Sequence, residues 1–263
     1  MEHVKGVDAL RIAVISDIHG NLPALEAVLK DVAAQSVEAT VCLGDLAFKG
    51  PMPGECVTRI RELGIPCVHG NTDLMLLQVT DLTPVGTLPD WGRFPTELRP
   101  FLEWHVNRMS RTDLEFLAGL PFSYQMEGVR FVHASPQDCV TGIKPRDDRE
   151  AITERVLDLD ADCLVMGHIH QAFAFRMAGK MLVNAGAIGF SQDRNWRASY
   201  AVLDTERGSV SLMRVPYDLE ALVTEARARG FCFEPEWYGQ ILRDGYWPPV
   251  PWAEQLKSHT FTP

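Results

Sequence analysis

No run of about 20 consecutive apolar residues occurs in this 263-residue chain, which excludes a bilayer-spanning helix. Basic charge is scarce: 35 acidic residues face 25 Lys and Arg, giving a formal net charge of −10. Such a chain repels phosphate backbones and anionic lipid at long range. No basic stripe interleaved with aromatics offers a local exception, so nucleic acid and membrane are disfavoured as partners. Disulfide spacing is missing as well. Cys42, Cys56, Cys67, Cys139, Cys163 and Cys232 show no short repeat, and three of them sit in apolar, strand-like runs, so reduced core thiols are expected. Met1 to Ala9 carry Glu2, Lys5 and Asp8 and no apolar signal segment, which with the thiols predicts a cytoplasmic location. There is no internal repeat and no low-complexity linker. What is there, 46% apolar and 23% charged residues, is the balance of an ordinary soluble protein with a substantial core.

The order of patterns predicts an α/β chain. Leu10 to Ser16 is nearly continuous in apolar residues, as for a strand buried on both faces, and Asp17 follows it. Leu22, Leu25, Val28, Leu29 and Val32 recur at helical spacing, with Pro23 suited to a first turn. The unit repeats as a strand over Thr40 to Leu43, a Gly/Pro loop, and a helix over Glu55 to Leu63; a third strand is expected over Ile65 to His69. Strand and helix in alternation predict parallel strands, with functional groups on the loops beyond their C-terminal ends.

Residues from about 73 to 119, broken by Pro84, Pro89, Pro95 and Pro100, read as a helical insertion or cap. Strands resume at Phe122 to Met126 and Val129 to His133, joined by a Glu127-Gly128 turn, and at Cys163 to Met166 after a helix near Arg149 to Leu157. Four more strands, expected to be antiparallel, cover Ala172 to Met177, Met181 to Asn184, Ala198 to Leu203 and Ser209 to Val215. A C-terminal extension over about 218–263 opens with a helix, Leu219 to Arg229. Its aromatic, proline-containing tail, with Tyr246-Trp247-Pro248-Pro249 and Pro251-Trp252, is expected to pack on its own domain or on a second subunit, which leaves a homo-oligomer open. The whole of 1–263 is taken as one domain with these two additions.

Five short signatures fall at predicted strand ends: Asp17-Ile18-His19-Gly20-Asn21, Gly44-Asp45, Gly70-Asn71-Thr72-Asp73, Val132-His133-Ala134 and Gly167-His168-Ile169-His170. Any one of them occurs by chance. Together they supply imidazole, carboxylate and amide ligands, a set that suits Mn²⁺, Fe or Zn²⁺ better than Mg²⁺ or Ca²⁺. Gly20, Gly44, Gly70 and Gly167 fit loops that turn tightly beneath an ion.

In this order the signatures resemble the calcineurin-like metallophosphoesterase family, over a span from about Arg11 to Asp218. Within that family the chain is most similar to the small bacterial and archaeal phosphodiesterases and the diadenosine tetraphosphate hydrolases. The resemblance implies a four-layer αββα sandwich of two mixed β-sheets. It also implies two metal ions, with Asp17, His19 and His170 on the first, Asn71, His133 and His168 on the second, and Asp45 between them. Two cations about 3.5–4 Å apart repel strongly, so a shared carboxylate is physically required. Asp45, Asn71, His133 and His170 are then the catalytic candidates. The expected reaction is hydrolysis of a small phosphodiester, nucleotide or dinucleoside polyphosphate by a metal-activated hydroxide, with Mn²⁺ as the first choice and Fe or Zn²⁺ as alternatives.

Two departures from the family pattern are informative. Many members carry His after the asparagine, where it can protonate the leaving oxygen; Thr72 stands here, as in the small phosphodiesterases, which points to good leaving groups and makes Thr72 a candidate substrate contact. Asp73 is open to a water-mediated role or to capping the helix that follows. Where relatives often read Asn-Pro-Gly-Ser, this chain reads Asn184-Ala185-Gly186-Ala187, followed by Asp193, Arg194, Asn195 and Arg197. Arg194 is the candidate for gripping phosphate oxygens, against the plainer reading of an exposed loop charge that also applies to Lys144, Arg146 and His69. His3, His105 and His259 have no such context and read as surface or packing residues. The competing class is a non-catalytic binding scaffold of the same fold, and the filled seven-residue set argues against it.

Overall fold

The computed structural model describes residues 10–82 and 98–247. The ends of the chain and 83–97, which hold Pro84, Pro89 and Pro95 of the expected insertion and the tail beyond Trp247, lie outside the described residues, as do His3 and His259.

Strand β1 (Arg11–Ile15) explains its own sequence. Ile12 and Val14 point into a core shared with a second sheet, while Ala13 and Ile15 point into a core shared with helices, so each position after Arg11 must be apolar. β2 (Ala39–Cys42) pairs with β1 in parallel, and β8 (Ala198–Asp204) lies antiparallel on its other side, followed by β9 (Ser209–Val215), in the order β2-β1-β8-β9. The second sheet has the order β3 (Ser123–Met126), β4 (Val129–Val132), β5 (Cys163–Met166), β7 (Lys180–Ala185), β6 (Ala172–Met177). Its central pairs β4-β5 and β5-β7 are parallel and its outer pairs antiparallel, so both sheets are mixed.

The sheets stack on a core that includes Ile12, Val14, Leu43, Phe131, Val165, Val183 and Leu203. Outside the first sheet lie α1 (Leu22–Ala33), α2 (Pro53–Glu62) and α7 (Leu219–Ala228); outside the second, α6 (Arg149–Val156) buries Ile152 and Val156 against Leu164, Met166 and Leu182. Helix, sheet, sheet, helix is the expected four-layer order. Pro23 sits in the first turn of α1, and Asn21 Oδ1 caps that helix by accepting from the Ala24 N–H at 3.1 Å. The stretch expected as an insertion folds into most of α3 (Asn71–Leu77), then α4 (Arg99–Val106) and α5 (Arg111–Ala118), and α8 (Pro235–Asp244) follows α7. None of the helices among the described residues is long and apolar enough to cross a membrane.

One expectation needs correction. Ile65 to His69 forms no strand: Cys67 makes an isolated parallel bridge to Cys42, because Pro66 has no N–H to continue a ladder and its carbonyl serves only the Cys42 N–H at 2.9 Å. The four strands from Ala172 to Val215 are antiparallel, as expected, within two hairpins. β6 and β7 belong to the second sheet and β8 and β9 to the first, and the chain crosses between them through Gly186 to Arg197.

A candidate metal centre at the strand ends

The loops leaving the C-terminal ends of β1, β2, β4 and β5, and the first residue of α3, carry all seven residues singled out in the sequence, and they converge. Asp17, His19, Asp45 and His170 present one ligand atom each within 4.8 Å of one another, and all four are buried. His170 Nε2 lies 3.0 Å from Asp17 Oδ1 and 3.1 Å from His19 Nε2. On the other side, Asn71 Oδ1 is 3.0 Å from both His133 Nε2 and His168 Nδ1. Asp45 Oδ2 stands between the groups, 3.6 Å from His19 Nε2 and 3.6 Å from His133 Nε2.

The hydrogen bonds around this cage test whether a cation fits it. His19 Nδ1 donates to the Phe48 carbonyl at 2.7 Å, His133 Nδ1 to the Leu43 carbonyl at 2.7 Å, and His170 Nδ1 to the Phe190 carbonyl. With Nδ1 carrying the proton, each neutral ring turns a bare lone pair inward. Lone pairs of His19 and His170 then face each other and the Asp17 Oδ1, a buried oxygen with no hydrogen-bond partner. Acceptors forced together this way, with their outer nitrogens tied to carbonyls, are the arrangement of metal-ligating imidazoles. The donor set of four imidazoles, two carboxylates and one amide oxygen fits divalent metal ions.

Bracing groups hold the oxygens in place. Ser16 Oγ donates to Asp17 Oδ2 at 2.6 Å and the His168 N–H to the same oxygen at 2.9 Å, which leaves Oδ1 free to face inward. Asp45 Oδ1 accepts from the Thr72 N–H at 2.9 Å, so only Oδ2 faces both halves. Asp73 is fully committed: its carboxylate accepts the N–H groups of Asp45, Leu46 and Gly70 at 2.8, 2.9 and 2.8 Å and staples the β2 loop to α3. The helix N-cap is Gly70, and Asp73 is the third residue beyond it. A Cβ on Gly70 would lie 2.0 Å from Asp45 Oδ1, so glycine is required for that approach. In the departing Asn184-Ala185-Gly186-Ala187 stretch, Asn184 donates to the Gly167 carbonyl and accepts from the Gly186 N–H, bracing the turn that carries His168.

The backbone is strained at the cage. Asp17, His19, Asp45, His168 and His170 all have φ between 48° and 68°, the left-handed region. Each such residue costs of order 1 kcal/mol, a cost tolerated mainly at functional sites. Electrostatics hold His19 and His168 as neutral imidazoles, whereas Asp45 and Asp17 raise the His133 pKa against its burial. Burial, then nearby Lys49, takes the His19 pKa down to about 3, and burial, then His133, takes His168 to about 4. Burial would raise the carboxyl of Asp17, yet His170 and then His133 hold it far below the usual range; His133 likewise lowers Asp45 against its burial.

Lys49 was missed by the sequence reading. Burial lowers its pKa while Asp45 and Asp17 oppose that, and its ammonium lies 5.9 Å from the Phe190 ring centroid, so it is a half-buried cation beside the cage. Nothing in the Gly/Pro loop that carries it announced this. Thr72 is buried, and its Oγ1 has no hydrogen-bond partner. The Arg194 guanidinium is stacked 4.6 Å over the Tyr246 ring. His69 is buried against Phe122 with Nδ1 unpartnered, while Lys144 and Arg146 are exposed. A groove of about 490 Å³, walled by Val140, Thr141, Gly142, Lys144 and Ile169, opens against His168.

The calcineurin-like phosphoesterase superfamily domain matches residues 10–208 of this chain. An uncharacterized protein of Methanocaldococcus jannaschii, MJ0912, is 29% identical over 252 residues, covering 88% of this chain and 96% of that protein. The crystal structure of a metallophosphoesterase from Sphaerobacter thermophilus superposes with a TM-score of 0.74 at 27% identity, over 90% of this chain and 100% of the other. A hypothetical protein of Pyrococcus horikoshii OT3, PH1004, shares the fold with a TM-score of 0.76 at 23% identity, over 89% and 98%.

Proposed function

This chain belongs to the calcineurin-like phosphoesterase superfamily, and on that premise we propose that it is a dinuclear metal-dependent hydrolase of a small phosphodiester, nucleotide or dinucleoside polyphosphate in the cytoplasm. The observation that carries the reading is the single Asp45 oxygen placed 3.6 Å from an imidazole of each half of the cage. Asp17, His19 and His170 would hold the first ion and Asn71, His133 and His168 the second, with Asp45 shared between them. Bound there, two divalent ions, Mn²⁺ first among Mn²⁺, Fe and Zn²⁺, supply charge neutralisation for the phosphate and an activated water as nucleophile.

The protein's own groups do the rest. Backbone carbonyls of Phe48, Leu43 and Phe190 keep three imidazoles in the ligating tautomer without reorganisation. We assign the cation that faces the phosphate to Lys49 rather than to Arg194, whose guanidinium is engaged with Tyr246. The groove against His168 receives the part of the substrate beyond the scissile phosphate, and among the described residues its wall holds no aromatic ring besides that of the ligating His168. With Thr72 in place of an acidic imidazole, protonation of the leaving oxygen is weak, which favours leaving groups of low pKa.

The test is a side-by-side assay with added Mn²⁺ on a bis-aryl phosphate, an aryl monophosphate and diadenosine tetraphosphate. Diester or polyphosphate cleavage faster than monoester cleavage is expected. Metal uptake without turnover of any of the three would favour the non-catalytic scaffold.

A further inference from the structure

The cage has two kinds of support. The carbonyl that orients His133 belongs to Leu43, just beyond β2 in the sheet core, but the carbonyl that orients His170 belongs to Phe190, in the crossing between the sheets. The Phe190 ring lies edge-on to both histidines of the first half, 6.2 Å from His19 and 6.3 Å from His170 between centroids. What packs on that ring from outside is Trp247, at 4.8 Å. Trp247 lies beyond residue 208, where the family match ends.

Gly245 to Trp247 is tied to the His170 to Arg194 segment at every residue. The Gly245 carbonyl accepts the Arg194 N–H at 2.9 Å, Tyr246 lies under the Arg194 guanidinium, and the Trp247 N–H donates to Gln192 Oε1 at 3.2 Å. Gln192 in turn donates its N–H to the His170 carbonyl at 3.0 Å. Trp247 is wedged in place by Phe233 at 5.3 Å and Trp237 at 5.4 Å, so α8 delivers it as part of a packed aromatic cluster. Gly245 has φ +55°, and a Cβ there would lie 2.6 Å from the Asn195 nitrogen, a contact only glycine avoids.

We propose that Gly245–Trp247 is a strap that positions the metal centre: it clamps Phe190, whose carbonyl fixes the tautomer and direction of His170, so the C-terminal extension sets the affinity of the first ion and not of the second. Trp247 touches no ligand atom; it is a positioning residue. The proposal rests on the metal reading of the cage, and its test separates the two.

The experiment is equilibrium dialysis of the full-length protein against Mn²⁺ alone, with folding followed by circular dichroism. Trp247→Ala is expected to weaken one of two ions by about 10- to 100-fold, the usual cost of losing outer-shell support, and to leave the other in place. Trp247→Phe restores most of the affinity, because an aromatic ring on Phe190 is what matters. If Trp247→Ala does not fold, Gly245→Ala, which pushes the strap off Arg194 while keeping every ring, gives the same selective loss. Equal affinities in wild type and variant, or equal weakening of both ions, overturns the strap alone. A wild-type protein that takes up no Mn²⁺ overturns the cage and the strap together.

Discussion

The two halves of the cage differ less in their ligands than in what stands behind them. The half with Asn71, His133 and His168 is backed by the sandwich itself: Leu43 and Val132 lie in its cores, and Asn71 opens a helix stapled to the β2 loop by Asp73. The half with Asp17, His19 and His170 leans on Phe48 and Phe190, whose rings enter an aromatic annex built from α4 and the C-terminal extension. Ligands on a sandwich scaffold are as rigid as the fold. Ligands backed by an annex are as rigid as the contact between annex and fold, which can be varied without disturbing the sheets.

The change expected to erase the difference is Asp45→Asn, since its Oδ2 serves both sides. Loss of about 10³-fold or more in kcat, with both ions weakened, is the expected outcome; full turnover with two ions retained removes its bridging role. Asn71→Ala should break one side only, weakening one ion by at least the ~10- to 100-fold typical of lesser, outer-shell changes. An unchanged metal stoichiometry would count against its placement. Lys49→Met should leave both ions bound and raise KM by about 10-fold, the worth of one charge-assisted hydrogen bond. A lower metal content with KM unchanged would make it a structural cation instead.

The remaining effect concerns the annex and is one of stability rather than of activity. His105 in α4 is buried, its Nδ1 donating to the Phe101 carbonyl at 2.7 Å and its Nε2 accepting the Lys49 N–H at 3.2 Å. Burial takes its pKa down from 6.5 to about 4. Between those values the unfolded chain binds a proton that the folded chain refuses. Stability therefore falls by about 3 kcal/mol as pH drops through that window and is complete above it. His105→Gln keeps an acceptor but cannot titrate, so denaturant midpoints measured from pH 7 to pH 4 should fall less steeply in the variant. Parallel curves would rule out His105 as the acid-sensitive group.

Much of this was legible in the chain. Apolar runs buried on both faces marked β1, β2 and β5, and the signature at each strand end put imidazoles and carboxylates where an α/β sheet concentrates function. What the pattern left open was pairing. Cys67 and Val68 look like a strand, yet Pro66 stops the ladder, and the hairpins β6-β7 and β8-β9, though adjacent in the chain, serve different sheets. Strand pattern is a local property of residues, whereas the choice of neighbour is made between distant segments.

By itself, then, the sequence determined which side chains are available and at which strand ends, because periodicity and loop chemistry act over a few residues. Tertiary structure alone decided the left-handed backbone at Asp17, His19, Asp45, His168 and His170, the placing of half-buried Lys49 beside the cage, and the seating of Trp247 on Phe190. Each of these depends on groups tens to hundreds of positions apart being pressed together. The energy that holds an unfavourable φ or a half-buried ammonium comes from that packing, which no short stretch of chain encodes.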